Sequence, residues 1–224
     1  MPDDPFSMDS DAPRIDLLQD VCHEHDATLL IDVAHDLGAL GTDGTGQLGI
    51  QQMLGKVDLV MGTFSKTFSS NGGFLASNSE SALQFVRAFA SPWMFSNALS
   101  PIQIAVIRQA LQVVRSDEGE QLRRRLRYNA DTLRDALTDE GLRCLGSPSA
   151  IVPVHIGDEQ TARTASSLLH TNGVHINLAE YPGVPRNAAR FRMQVMATHT
   201  EQTNPARRPH CGASDQRRLL ARGL

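Results

Sequence analysis

The chain has 224 residues, with 21 basic and 25 acidic side chains and a net charge of −4. A hydrophobic content of 41% excludes a disordered chain, and the length suits one large domain or one and a half ordinary ones. The mild acidity gives no general attraction to nucleic acid or anionic membrane, no apolar run reaches the ~18 residues that span a bilayer, and MPDDPFSMDSD lacks the regions of a signal peptide.

Residues 1–12 read as an irregular acidic lead-in. A helix is predicted over 13–25, with Pro13 in its first turn, Asp11 or Ala12 at the cap, and Ile15, Leu18, Cys22 and His25 on one face. The continuous apolar run 27–33 reads as a strand buried on both faces of a parallel sheet. A glycine-rich loop follows from Gly38 to Gly49, then short strands at 57–61 and 73–77. Helices are predicted over 79–90, 99–115 and 118–139. The last has a leucine stripe, and Arg123, Arg124, Arg125 and Arg127 are expected mostly to face water. From about residue 143 a smaller α+β pattern begins: a strand at 151–156, a helix at 158–171, and strands at 173–177 and 190–196. The expected division is 1–142 for part of a large domain, 143–203 for a small C-terminal domain, and 204–224 for a poorly ordered basic tail.

Alternation of strands and helices makes the first part α/β, and ligands in such sheets sit at the carboxyl ends of the strands. Asp32 closes the first strand there, with His35 three residues on; Thr63, Ser65 and Lys66 follow the second strand, and the small residues 69–73 let backbone approach a ligand. The basic residues are 19 arginines and two lysines, so an amine nucleophile on a side chain is Lys56 or Lys66. Lys56 precedes its strand, where a solvated lysine is expected. A carboxylate, an imidazole, an amine and hydroxyls around one crevice suit pyridoxal 5'-phosphate, whose aldehyde a lysine binds as a Schiff base.

Several motifs then carry a resemblance. Ser7-Met-Asp9, Asp32-Val-Ala-His35 with Gly38 and Gly41, Gly62-Thr-Phe-Ser-Lys66 with Gly72-Gly-Phe74, Phe95-Ser-Asn-Ala-Leu-Ser-Pro101, Tyr181-Pro-Gly-Val-Pro185, Ala189-Arg-Phe-Arg192 and Ala197-Thr-His-Thr200 stand in order along the chain. Together they resemble the α-oxoamine synthases, a fold type I pyridoxal phosphate family. The resemblance implies part of the large-domain parallel sheet of that transferase fold plus a small α+β domain. By position it implies that Lys66 is the Schiff-base lysine and the base at the substrate Cα, that Asp32 pairs with the pyridinium nitrogen, and that His35 bonds the cofactor's phenolic oxygen or the substrate. Thr63 and Ser65 would bind phosphate, Ser96 and Asn97 would lie in a segment reaching the partner subunit's cofactor, and Arg192 would take the amino-acid carboxylate. The implied reaction condenses an amino acid (serine, glycine or alanine) with an acyl-CoA, losing CO2 and CoA, in a homodimer of sphingolipid-type or biotin-type biosynthesis.

The same resemblance implies a chain lacking the N-terminal half of the fold, with the glycine-rich phosphate turn and the ring that stacks on the cofactor. An aminotransferase and a non-catalytic fragment of the fold are the alternatives. Other readings are bland. His23 and His25 lie two apart on a helix and point to different faces, so no metal site is expected. Cys22, Cys144 and Cys211 are odd in number and widely spaced, which suggests reduced thiols in a cytoplasmic protein.

Overall fold

The computed structural model describes residues 8–200, so the expected basic tail, Ser7 and Cys211 lie outside the described residues. The described residues divide into two compact units, one of residues 13–123 and one of residues 8–12 with 124–200.

The first unit contains α1 (Ile15–Glu24), β1 (Leu30–Asp32), α2 (Gly46–Ile50), β2 (Leu59–Thr63), β3 (Gly73–Ala76), α3 (Glu80–Phe89), α4 (Ser91–Met94) and α5 (Pro101–Val114), and the start of α6 (Asp117–Asp139). The sheet order is β1-β2-β3. β1 and β2 are parallel, with Asp32 opposite Met61, but β3 runs antiparallel to β2, with Thr63 opposite Gly73. The expectation of a wholly parallel sheet is corrected here. The connection from Phe64 to Gly72 is too short for the crossover a parallel pair needs, so the chain turns back on itself. Ile15, Val33, Leu48, Met53 and Val57 form the core, with Leu29, Ile31, Val60 and Phe74 packed against it.

α1 begins after Pro13 and not with it, since Arg14 is its N-cap. Its inner face holds Ile15 and Gln19 rather than a wholly apolar stripe. Gln19 is buried because both ends of its amide are used: Nε2 donates to Asp58 Oδ2 at 2.8 Å, and Oε1 accepts from Asp58 N at 3.2 Å. α5 starts sharply because Ser100 and Gln103 form a capping box and Pro101 occupies the first turn.

The second unit contains most of α6, β4 (Ile151–Gly157), α7 (Glu159–Thr171), β5 (Asn177–Ala179) and β6 (Ala189–Gln194). Its sheet is antiparallel in the order β4-β6-β5. Ala130 and Leu133 of α6, Val152 and Val154 of β4, Ala165 of α7 and Phe191 of β6 make one core. The division between the units falls within α6, whereas composition placed it at 142. Residues of α6 beyond Arg123 carry the stripe that packs on the second sheet, so they group with it. Ser10 also belongs to this unit, donating to Ser147 O at 2.8 Å. The strand expected at 173–177 starts only at Asn177. Gly173, with φ +76°, and Val174 instead close α7, donating to His170 O at 2.9 Å and Leu169 O at 2.9 Å.

No helix among the described residues is long and apolar enough to cross a membrane.

Candidate cofactor site

The candidate site lies at the carboxyl ends of β1 and β2. Because Asp32 stands opposite Met61, the two strands deliver Asp32 and Thr63 to the same end of the sheet. Asp32 is exposed, and its Oδ1 accepts from Ala34 N at 2.7 Å, which turns the chain toward the half-buried His35.

The loop leaving β2 is held from beneath by aromatic rings. Phe64 meets Phe68 edge-on at 5.5 Å between centroids and Phe74 at 5.7 Å, and Phe68 is buried. Backbone bonds finish the turn: Phe64 N donates to Gly72 O at 2.9 Å, Ser70 N to Phe64 O at 2.8 Å, and Ser69 N to Lys66 O at 3.0 Å. With Phe64 and Phe68 turned inward, Ser65 and Lys66 are exposed. Thr63 Oγ1 donates to Gly72 O at 3.1 Å and accepts from Ser65 N at 3.1 Å, and the two hydroxyl oxygens lie 2.7 Å apart. The result is a pair of hydroxyls at a strand end with a lysine next to it.

The small residues of this loop have a packing reason that the sequence reading did not supply. A Cβ on Gly73 would lie 2.5 Å from Gly62 O, and one on Gly72 would lie 2.7 Å from the Leu99 side chain. Close approach here is between parts of the protein itself. Ser70 Oγ adds a link, donating to Gln103 O at 3.2 Å in the first turn of α5. Ser96 and Asn97 lie just before that helix, in an exposed segment. Arg192 is half-buried on β6 of the second unit, paired in register with Pro153 and Asn177. Burial lowers the pKa of its guanidinium and of that of Arg190, which forms an ion pair with Asp9.

Two residues were misjudged or missed in the sequence. Arg123 is buried, not solvated: its Nε and Nη2 donate to Thr42 O at 3.2 and 2.6 Å, and its Nη1 to Val114 O at 2.7 Å. It ties the glycine-rich loop to the end of α5. Asp36, next to His35, is also buried. Its Oδ2 accepts from Gln47 N at 2.7 Å, while Oδ1 has no hydrogen-bond partner among the described residues. Burial pushes its carboxyl up to about 6. The one available signal was the spacing of Asp36 to Gly46, whose missing Cβ would lie 2.7 Å from the carboxyl carbon. Among the described residues, no group of three or more His, Cys, Asp or Glu could hold a metal ion.

Comparison with known proteins supplies the context. Residues 3–206 match the aminotransferase class I and II family. The chain is 35% identical over 196 residues to 8-amino-7-oxononanoate synthase of Geobacter sulfurreducens, covering 88% of this chain and 50% of that protein. It is 32% identical over 198 residues to 2-amino-3-ketobutyrate coenzyme A ligase of Escherichia coli K12, with 88% and 49% covered. Among solved structures, serine palmitoyltransferase from S. paucimobilis with a bound PLP–myriocin aldimine superposes with a TM-score of 0.83 at 27% identity, covering 97% of this chain and 52% of that one. The chain thus spans about half the length of the curated relatives it matches.

Proposed function

Because the chain belongs to the aminotransferase class I and II family, we propose that it supplies the lysine and ring-nitrogen side of a pyridoxal phosphate site, in an enzyme that condenses an amino acid with an acyl-CoA and releases CO2 and CoA. The observation that carries this reading is the delivery of Asp32 and Thr63 to one end of adjacent parallel strands, with Ser65 and Lys66 in the loop that follows. The relatives support the reaction class, since the named synthase, ligase and palmitoyltransferase all match over the same stretch.

The donor set suits the cofactor. An amine, a carboxylate, an imidazole and two hydroxyls are present, and Asp32, Ser65 and Lys66 are exposed to a ligand. Bound there, pyridoxal phosphate supplies an electron sink for the pair left on the amino-acid Cα. The protein's part is assigned residue by residue. Lys66 would hold the aldehyde carbon through its amine and, once the substrate's amine has displaced it, would be the base at the Cα proton. Asp32 keeps the pyridine nitrogen protonated by charge pairing. His35 hydrogen-bonds the phenolic oxygen or the substrate. Thr63 and Ser65 donate hydroxyls to the phosphate. Arg192 takes the substrate carboxylate through its planar fork. Ser96 and Asn97 are assigned to the neighbouring subunit's site in a homodimer. Serine, glycine or alanine is the amino acid, as in sphingolipid-type or biotin-type biosynthesis, and a reducing cytoplasmic compartment fits the cysteine count.

The test is reductive trapping. The chain is incubated with pyridoxal phosphate, treated with borohydride and digested, and the phosphopyridoxyl group is located by mass spectrometry. It is expected on Lys66, retained in Lys56→Ala and lost in Lys66→Ala. Labelling centred on Lys56 would overturn the assignment. Thiol release from acyl-CoA that depends on the added amino acid distinguishes condensation from transamination, which releases no thiol.

A further inference from the structure

α7 ends in a tight turn. Gly173 takes φ +76°, its N donates to His170 O at 2.9 Å, and Val174 N donates to Leu169 O at 2.9 Å, so the chain folds back over the last helical turn. The Asn172 side chain adds a bond from Nδ2 to Leu168 O at 2.7 Å. Beyond the turn, Ile176 packs on the core of the second unit. Val174 and Ile176 are half-buried, and His175 between them is exposed. The turn thereby sets His175 against His170, with ring centroids 4.6 Å apart and planes at 81°. Neither imidazole has a hydrogen-bond or ion-pair partner among the described residues. His23 differs: its Nε2 is engaged with Gln19 Nε2 at 2.5 Å and with Asp58 Oδ1 at 3.1 Å.

Two imidazoles at this spacing fit one ion. An imidazole nitrogen binds zinc at about 2.0–2.1 Å and stands about 1.1 Å from its own ring centroid, so each centroid lies about 3.2 Å from a shared ion. Centroids 4.6 Å apart then subtend about 90° at that ion. Square-planar, octahedral and tetrahedral sites use roughly 90–110° between adjacent ligands. The χ2 torsion of histidine is broad, so each exposed ring can turn a nitrogen toward the common point without moving the backbone. The surroundings permit the charge. Arg163 lines the same groove, but Glu180 compensates it, with Nε donating to Oε2 at 2.8 Å and Nη2 to Oε1 at 3.1 Å. The Ser166 and Ser167 side chains line the groove too, and hydroxyls there can bond to water on a hydrated ion. His170 stands in the last turn of α7, where the helix dipole favours a cation.

We infer that His170 and His175 form a two-imidazole site for a divalent first-row transition ion of the class that imidazole suits, Zn2+, Cu2+ or Ni2+, with solvent completing the coordination. The site belongs to the second unit and stands independently of the cofactor reading. A bound ion staples the last turn of α7 to the segment that leads into β5.

The test is histidine footprinting of the full chain with Zn2+ as the probe. The protein is treated with diethylpyrocarbonate with and without the metal, digested, and the carbethoxy groups are located by mass spectrometry. Zinc is expected to slow labelling of His170 and His175 at least fivefold, chelation by EDTA to restore it, and labelling of exposed His25 to stay unchanged. In His170→Gln the protection of His175 is expected to be lost, and in His175→Gln that of His170; both positions are exposed, and native far-UV circular dichroism checks each variant. Labelling that zinc does not alter would overturn the inference. So would protection of one histidine that survives replacement of the other, or equal protection of His25.

Discussion

Replacing Asp36 by asparagine should remove one pH-dependent component of stability. The folded carboxyl titrates at about 6 against an ordinary value of 3.8, because it is buried and its ionised form is desolvated. A raised folded pKa means that the native state holds the proton more tightly than the unfolded state. The contribution is therefore fully present below pH 3.8 and is lost as pH rises to about 6. A shift of this size corresponds to about 3 kcal/mol, with stability falling by about 1.4 kcal/mol per pH unit inside that window. Asparagine cannot ionise, and its amide oxygen can still accept from Gln47 N. Its NH2 group would face the position of Oδ1, which has no partner among the described residues, at a cost of about 1–3 kcal/mol. The variant is thus expected to start below wild type at pH 4 and to match or pass it at pH 7.5. Urea unfolding followed by far-UV circular dichroism at half-unit steps from pH 4 to 7.5 measures this directly. Parallel curves for wild type and variant across that range would refute the buried-carboxylate argument.

Two further outcomes are expected. Asp58 is held down to about 2 by hydrogen bonds from Gln19, from Leu29 N and from His23, so its contribution is present above pH 3.8 and is lost as pH falls toward 2; Asp58→Asn should remove that acid-side component in the same unfolding series, and an unaltered acid limb would contradict the assignment. Arg123→Ala should lower stability by about 2–3 kcal/mol, since its guanidinium bonds to Thr42 O and Val114 O are lost, while exposed Arg125→Ala should change it by less than about 0.5 kcal/mol in thermal or urea unfolding.

The parts of the fold visible in the sequence were those with one dominant signal. The apolar run ending in Asp32 located β1, although the strand is only Leu30–Asp32 and is not buried on both faces, Leu30 being 43% exposed, and the period of 118–139 located the long helix. Elements whose outcome depended on a second segment were less legible. β3 reads as a strand, but its direction follows from the length of the Phe64–Gly72 connection. Gly173 looks like the start of a strand until its positive φ assigns it to the end of α7. Arg123 and Arg125 sit in one basic run, and only the carbonyls of Thr42 and Val114 separate the buried arginine from the exposed one. The placement of Asp32 and Thr63 at strand ends, and of Ser65 and Lys66 in the loop after β2, was legible because it depends only on where β1 and β2 stop. The burial of Asp36 was not legible, because a carboxylate beside a glycine-rich loop ordinarily faces water, and the room it occupies exists only because Gly46 lacks a Cβ.

The Phe64, Phe68 and Phe74 cluster fixes more than a turn. With aromatic rings anchoring the backbone on both sides of Lys66 and hydrogen bonds closing the loop at Gly72 and Ser70, the main chain acts as a rigid mount. The reach of the amine is then set by its own four methylenes, whose rotamers are the adjustable part. Shortening that arm by one carbon could not be offset by a shift of the loop, so an amine displaced by a single bond length would stay displaced. Conversely, the mount keeps its shape when the side chain is removed, because the ring contacts and backbone hydrogen bonds that hold the loop do not run through that side chain.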